Sequence, residues 1–126
     1  MPLYLASANG HLDVAKVLIQ HRAHVDSWNN KQQTPLYNAS WHGHLEIAQF
    51  LIGHGASMSS RDDEGLTPFH SASQNGHLHV MKFLLDRDID IDIQVRNGET
   101  SLYLASGSRK LNIMCFLIEN GADIDT

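Results

Sequence analysis

The chain has 126 residues, an apolar fraction of 42% and a formal charge of -5, one domain's worth of sequence with a modest core. The acidic balance leaves few Lys and Arg to grip a phosphate backbone, which argues against nucleic acid as a partner, and the longest apolar run, residues 113–118, is too short for membrane insertion. Cys115 is the single cysteine, which excludes an internal disulfide and a multi-cysteine zinc site and points to an intracellular setting, cytoplasmic or nuclear.

The first segment, MPLYLASA, has the small-x-small look of a signal cleavage site but no basic stretch before it, and its LYLAS returns at residues 102–106. A segment that recurs inside the chain belongs to the structure. The recurrence is general: Thr34, Thr67 and Thr100 stand 33 residues apart, and four columns do not vary. They are Ala6, Ala39, Ala72, Ala105; Ser7, Ser40, Ser73, Ser106; Leu12, Leu45, Leu78, Leu111; and Leu18, Leu51, Leu84, Leu117. The chain therefore reads as one array of units 1–33, 34–66, 67–99 and a partial 100–126.

The second unit shows the elements in order. Thr34 is placed to cap a helix and Pro35 suits its first position, where a missing N–H costs nothing. Leu36, Ala39, Ser40 and Gly43 then share one face, small enough for another helix to approach, and Gly43 ends the helix in left-handed geometry. Leu45, Ile47, Ala48, Phe50, Leu51 and Ile52 give a second, broader apolar stripe that Gly55 ends. Each unit is two short antiparallel helices, and polar connections such as RDDEGL and RNGE join the units as protruding fingers. Asn97-Gly98 predicts a two-residue hairpin turn.

The pattern T-P-L-[HY]-x-A-S-x-x-G-H-L at this period resembles the ankyrin repeat, over the whole chain. The resemblance implies an all-α repeat solenoid, antiparallel helix pairs joined by β-hairpin or finger-like turns, that binds other proteins along its concave face and finger tips and does no chemistry of its own. One unit cannot bury its own apolar stripe, so stability rests on neighbour contacts.

Departures from the pattern locate stress. The column that the family fills with His holds Tyr4, Tyr37 and Tyr103, with His only at His70, so the local bond network must differ. Arg109-Lys110 replaces the Gly-His turn in the last unit, Arg22 and Asp88 replace the second-helix terminal Gly, and Gln32 replaces a finger Gly. At Arg109 a non-glycine residue in left-handed geometry costs on the order of 1 to 2 kcal/mol, which makes the last unit the weakest. The array also begins without a finger and ends without a polar capping helix; the expectation is an excerpt of a longer array, with end faces open to end-to-end self-association.

Candidate sites separate into recurring and variable columns. His44 recurs as His11 and His77, framework that orients local backbone, and His42 and His44 are two apart, which on a helix points them in different directions and does not chelate a metal. Trp41 and His42 stand in columns that otherwise read Ala8, Gln74, Gly107 and Asn9, Asn75, Ser108. In proteins similar to this one, those columns face the groove. The expected protein-binding residues are therefore Trp41, His42, Gln74 and Asn75 on the inner helices. The fingers add Trp28, Asn30, Lys31 and Gln33; Arg61, Asp63, Glu64 and Leu66; and Gln94, Arg96, Asn97 and Glu99. Trp28 and Trp41 are expected to flank the groove as anchors, against the plainer reading that each packs on a neighbouring hairpin.

Other chemistry finds little support. Asp88, Asp90, Asp92 and Glu99 are spaced as in a calcium-binding EF-hand loop, but Ile93 stands where that loop needs Gly, and Asp90 and Asp92 repeat as Asp123 and Asp125. Asn38-Ala39-Ser40 reads as a glycosylation acceptor but lies on the packed helix face, and Cys115 shares a column with Lys16, Gln49 and Lys82, which predicts exposure without catalytic use. No phosphate loop or hydrolase motif is present. The sequence thus reads as a cofactor-free, metal-free, non-catalytic module that binds a protein or extended peptide, with an architectural spacer as the alternative.

Overall fold

The computed structural model describes residues 2–125. Within them the chain forms four helix pairs and no strand: α1 (Leu3–Ala8) with α2 (Leu12–Gln20), α3 (Pro35–His42) with α4 (Leu45–Gly53), α5 (Pro68–Gln74) with α6 (Leu78–Leu85), and α7 (Ser101–Gly107) with α8 (Leu111–Glu119). The predicted starts are where they were read. The Thr34, Thr67 and Thr100 hydroxyls accept the N–H groups of Tyr37, His70 and Tyr103 at 3.2, 3.4 and 3.3 Å, and Pro35 and Pro68 open their helices.

Each first helix closes in one way. In α3 the His44 N–H reaches the Ala39 carbonyl at 2.8 Å and the Gly43 N–H the Ser40 carbonyl at 3.3 Å, a Schellman closure around a left-handed residue. In the fourth unit Arg109 takes that conformation at φ 55°, and Arg22, Gln32 and Asp88 sit at 67°, 60° and 66°. All four residues that stand in glycine columns have therefore kept the glycine geometry and carry its cost.

Two layers result. α1, α3, α5 and α7 pack on one another in order, with α2, α4 and α6 behind them and α8 against α7. The four invariant alanines are fully buried, as are Ser7, Ser40 and Ser73, whereas Ser106 is exposed; the serine column faces the following unit, and the described residues hold none beyond the fourth. The second layer behaves alike. Ile47, Val80 and Ile113 are at most 2% exposed while Val14 of the same column is 37% exposed. Leu12, Leu45 and Leu78 are half-buried, whereas Leu111 is 69% exposed. Stacking is what removes these side chains from water, worth roughly 1.5 to 3 kcal/mol for each that is fully covered.

The fingers are tight turns at residues 29–33, 62–66 and 95–99, closed by N–H to carbonyl bonds from Asn29 to Gln33, Asp62 to Leu66 and Val95 to Glu99 at 3.1, 2.9 and 2.8 Å. The Asn97-Gly98 pair does not make the two-residue turn expected of it. The Gly98 N–H closes on the Val95 carbonyl at 2.9 Å, so Arg96 and Asn97 form the bend and only Gly98 is left-handed; the two-residue turn would need positive φ at both central residues. Asn29 and Asp62 hold their turns by accepting two backbone N–H groups each at 2.9 to 3.0 Å. Val95 has no such acceptor, and there the Asn97 amide bonds the Glu99 carboxylate instead.

Candidate functional site

His42 and His44 are divided by the turn at Gly43. His44 caps nothing on its own helix. Its Nε2 reaches across to the Ala8 carbonyl of the preceding unit at 3.1 Å, and His77 does the same to the Trp41 carbonyl at 2.9 Å. Those carbonyls lie in last turns, where a helix leaves acceptors without internal partners, so the bond joins units rather than orienting backbone within one. Space decides the partnership. A Cβ on Gly43 would stand 2.5 Å from His77 Nδ1, and one on Gly10 would stand 2.9 Å from His44 Cε1. The glycine of one unit is the seat of the next unit's histidine.

His42 and His44 lie closer than helical spacing predicts, their rings 6.1 Å apart and 21° from parallel, because the left-handed Gly43 takes His44 off the helix. His44 Nε2 is held by a carbonyl, however, and among the described residues no three His, Cys, Asp or Glu side chains are grouped to hold a metal ion. Burial, then the neighbouring His44 and His77, push the His42 pKa down, which favours the neutral ring.

Trp41 is half-buried. Its indole stacks on Tyr37 with centroids 6.0 Å apart and planes 18° from parallel, and it packs with Leu104 against a buried cluster of Tyr37, Leu66 and Val95. Packing on a neighbouring finger, the plainer of the two expectations, thus accounts for part of Trp41. Tyr37 and Leu104 were not read as site residues; Tyr37 stands one turn before Trp41, the spacing at which side chains on a helix meet. The Tyr37 phenol is pushed far above its ordinary range by burial, then by the Asp62 carboxylate as hydrogen-bond partner and charge, and by the charge of Glu64. The same column continues along the array with the half-buried Gln74, beside the half-buried Asn75, and with Gly107, where a Cβ would meet nothing within 4 Å.

Trp28 is a different case, 69% exposed. It lines a hollow of about 190 Å³ with Asp26, Gln32 and Arg61, apart from the Tyr37 cluster. Of the remaining finger residues, Asn30, Lys31, Arg61, Asp63, Glu64, Gln94, Arg96 and Asn97 are exposed, and Gln33 and Glu99 are half-buried. Leu66 is 8% exposed; it serves the cluster from beneath and does not itself form the surface, because its finger folds that side chain against Tyr37.

His70 shows what the Tyr substitutions changed. Its Nδ1 accepts the Thr67 N–H at 3.0 Å and its Nε2 donates to the Ile93 carbonyl of the next finger at 2.8 Å, where Tyr37 engages Asp62 instead. Desolvation pushes the His70 pKa down, as suits a ring that accepts a proton at Nδ1.

The acidic loop has its own employment. Asp90 accepts the Asp92 N–H and Asp92 the Asp123 N–H of the next unit, both at 2.9 Å. Asn38 is buried and donates to the Thr34 carbonyl at 3.0 Å, while Cys115 is exposed as its column predicted. No helix of the described residues is long and apolar enough to cross a membrane.

Comparison with known families agrees with the repeat geometry: a model of ankyrin repeats in many copies matches residues 3–52, and one of ankyrin repeats in three copies matches residues 55–126. No curated protein matches the chain.

Proposed function

Since the chain belongs to the ankyrin-repeat family, whose arrays generally serve as protein–protein interaction modules, we propose that it binds a protein or an extended peptide across its first-helix face and finger tips, without catalysis or cofactor. The observation that carries this reading is Trp41: a large aromatic side chain in a column that the stack fills elsewhere with Ala8, Gln74 and Gly107, held from behind by Tyr37 and by the His77 bond to its own carbonyl. Nothing in the repeat requires an indole there, and pre-positioned aromatics are the residues on which interfaces most depend. Trp41, His42, Gln74 and Asn75 form the floor in this reading, and the exposed finger residues from Trp28 to Asn97, with the half-buried Gln33 and Glu99, form the wall.

The formal charge of -5 supports a protein rather than a nucleic acid as the partner, and the single, exposed Cys115 supports a reducing intracellular setting. The test is affinity capture from native lysate with the wild-type chain and with a Trp28→Ala, Trp41→Gln double variant, the latter substitution copying the third unit. Equal capture by both, with helicity unchanged, removes the reading and leaves the architectural spacer.

A second arrangement, end-to-end association, is favoured by the exposed Leu111, Ile118 and Ile124 at one end and Val14 and Val17 at the other. It has an obstacle in the register used inside the array: Arg109 stands in the seat column of Gly10 and Gly43, so its Cβ would occupy the space that His11 of a second copy needs.

A further inference from the structure

Two hollows of the finger row meet at one side chain. Arg61 lines both the hollow of about 190 Å³ beside Trp28 and one of about 550 Å³ that continues past Gln94 and Arg96. Its Nη1 donates to the Gly65 carbonyl at 2.6 Å and to the Gln94 carbonyl at 2.7 Å, which ties the second finger to the third and fixes the guanidinium. An arginine carries five N–H donors. Two carbonyls take the pair on Nη1, so three remain, on Nε and Nη2, and those two nitrogens together present the edge that meets a carboxylate with two parallel bonds. A guanidinium already held in place loses little freedom when it binds.

The surroundings select the side on which a carboxylate would arrive. In the larger hollow Asp90 and Asp92 share the space with Arg61 and Arg96, so an incoming carboxylate would meet two acids there. The smaller hollow has one acid, Asp26, and its lining includes the exposed indole of Trp28. At about 190 Å³ this hollow is below the roughly 300 to 1,000 Å³ of small-molecule pockets and suits one side chain delivered on a longer segment.

We propose that Trp28 and Arg61 form an acidic-peptide subsite: a Glu or Asp side chain of an extended partner meets Nε and Nη2 of Arg61, and the apolar residue beside it lies on the Trp28 indole. This rests on the reading of the chain as a protein-binding module and names one chemical requirement of its partner. It assigns Arg61 two duties, as inter-finger tie and as anion receptor.

The test is selection of displayed random peptides on the immobilised chain, followed by titration of a selected peptide against a Trp41→Phe variant, in which Trp28 is the remaining indole. Enriched peptides are expected to carry Glu or Asp next to a large apolar residue and to change Trp28 emission. Arg61→Gln should weaken them by about tenfold or more, and Arg61→Glu should turn the selection toward basic peptides. Trp28→Ala, which leaves both Arg61 carbonyl bonds intact, should weaken the same peptides and guards against a merely structural effect of the arginine variants. Peptides with no acidic preference, or binding equally to wild type, Arg61→Gln and Trp28→Ala, overturn the subsite and leave the module reading standing. No enrichment on the wild-type chain overturns both.

Discussion

His77 donates from Nε2 to the Trp41 carbonyl at 2.9 Å while its ring fills the place where a Cβ on Gly43 would lie, 2.5 Å from Nδ1. One residue thus satisfies the end of the neighbouring helix, dictates a glycine in the neighbouring turn and steadies the residue that carries the proposed binding indole.

Gly43→Ala is therefore expected to cost more than left-handed strain alone, about 2 kcal/mol or more. Gly76→Ala is the control: it has φ 76° as Gly43 has, but its Cβ would lie 3.4 Å from the flexible Lys110 Cδ, so strain of roughly 1 to 2 kcal/mol is the whole expected effect. Urea unfolding of the two variants measures the difference. A Gly43→Ala, His77→Ala double variant should lose less than the sum of the two single-variant losses.

The left-handed residues offer the opposite experiment. Arg22, Gln32, Asp88 and Arg109 all have positive φ, so replacing each by Gly relieves roughly 1 kcal/mol of native strain, offset in part by the greater freedom of the unfolded chain. A rise in Tm is expected for each. Arg109→Gly also opens the seat in the last unit, so concentration-dependent association in sedimentation should appear in this variant before it appears in the wild type.

Acid should weaken the fold through His70. Its folded pKa is depressed by burial below the unfolded value of about 6.5, so below that pH the unfolded chain binds a proton that the native chain refuses. The contribution is complete above about pH 6.5 and is lost as pH falls from there toward the folded pKa. Urea midpoints measured across this range should fall with acidity, and His70→Tyr, the residue that other units carry in this column, should flatten the dependence. An unchanged slope would mean that the buried ring is not the group responsible.

The tryptophans should part company. Trp41 leans on Tyr37 and the Leu66 and Val95 cluster, so Trp41→Ala is expected to lose about 1 to 3 kcal/mol of stability together with binding. Trp28 is 69% exposed, and Trp28→Ala should stay within about 0.5 kcal/mol of wild type in unfolding while reducing peptide capture. Thermal melts and capture on the same samples separate the two roles.

Residue types at a fixed period were enough to determine the paired helices, their starts at Thr34, Thr67 and Thr100, their stops and the four strained substitutes for glycine, because caps and left-handed turns depend on neighbours within a few positions. The period also separated Trp41, in a column that varies, from His44, in a column that recurs. What a side chain touches across the stack was decided only by the folded chain. His44 bonds Ala8 rather than its own unit, Leu66 is covered although its column is polar elsewhere, Val95 closes its turn on Gly98, and Arg61 ties two fingers while lining one hollow with Trp28. Each of these joins residues about one repeat apart or depends on a turn's full set of dihedral angles, and a periodic sequence specifies which columns recur without specifying which atoms of adjacent columns come within hydrogen-bonding reach.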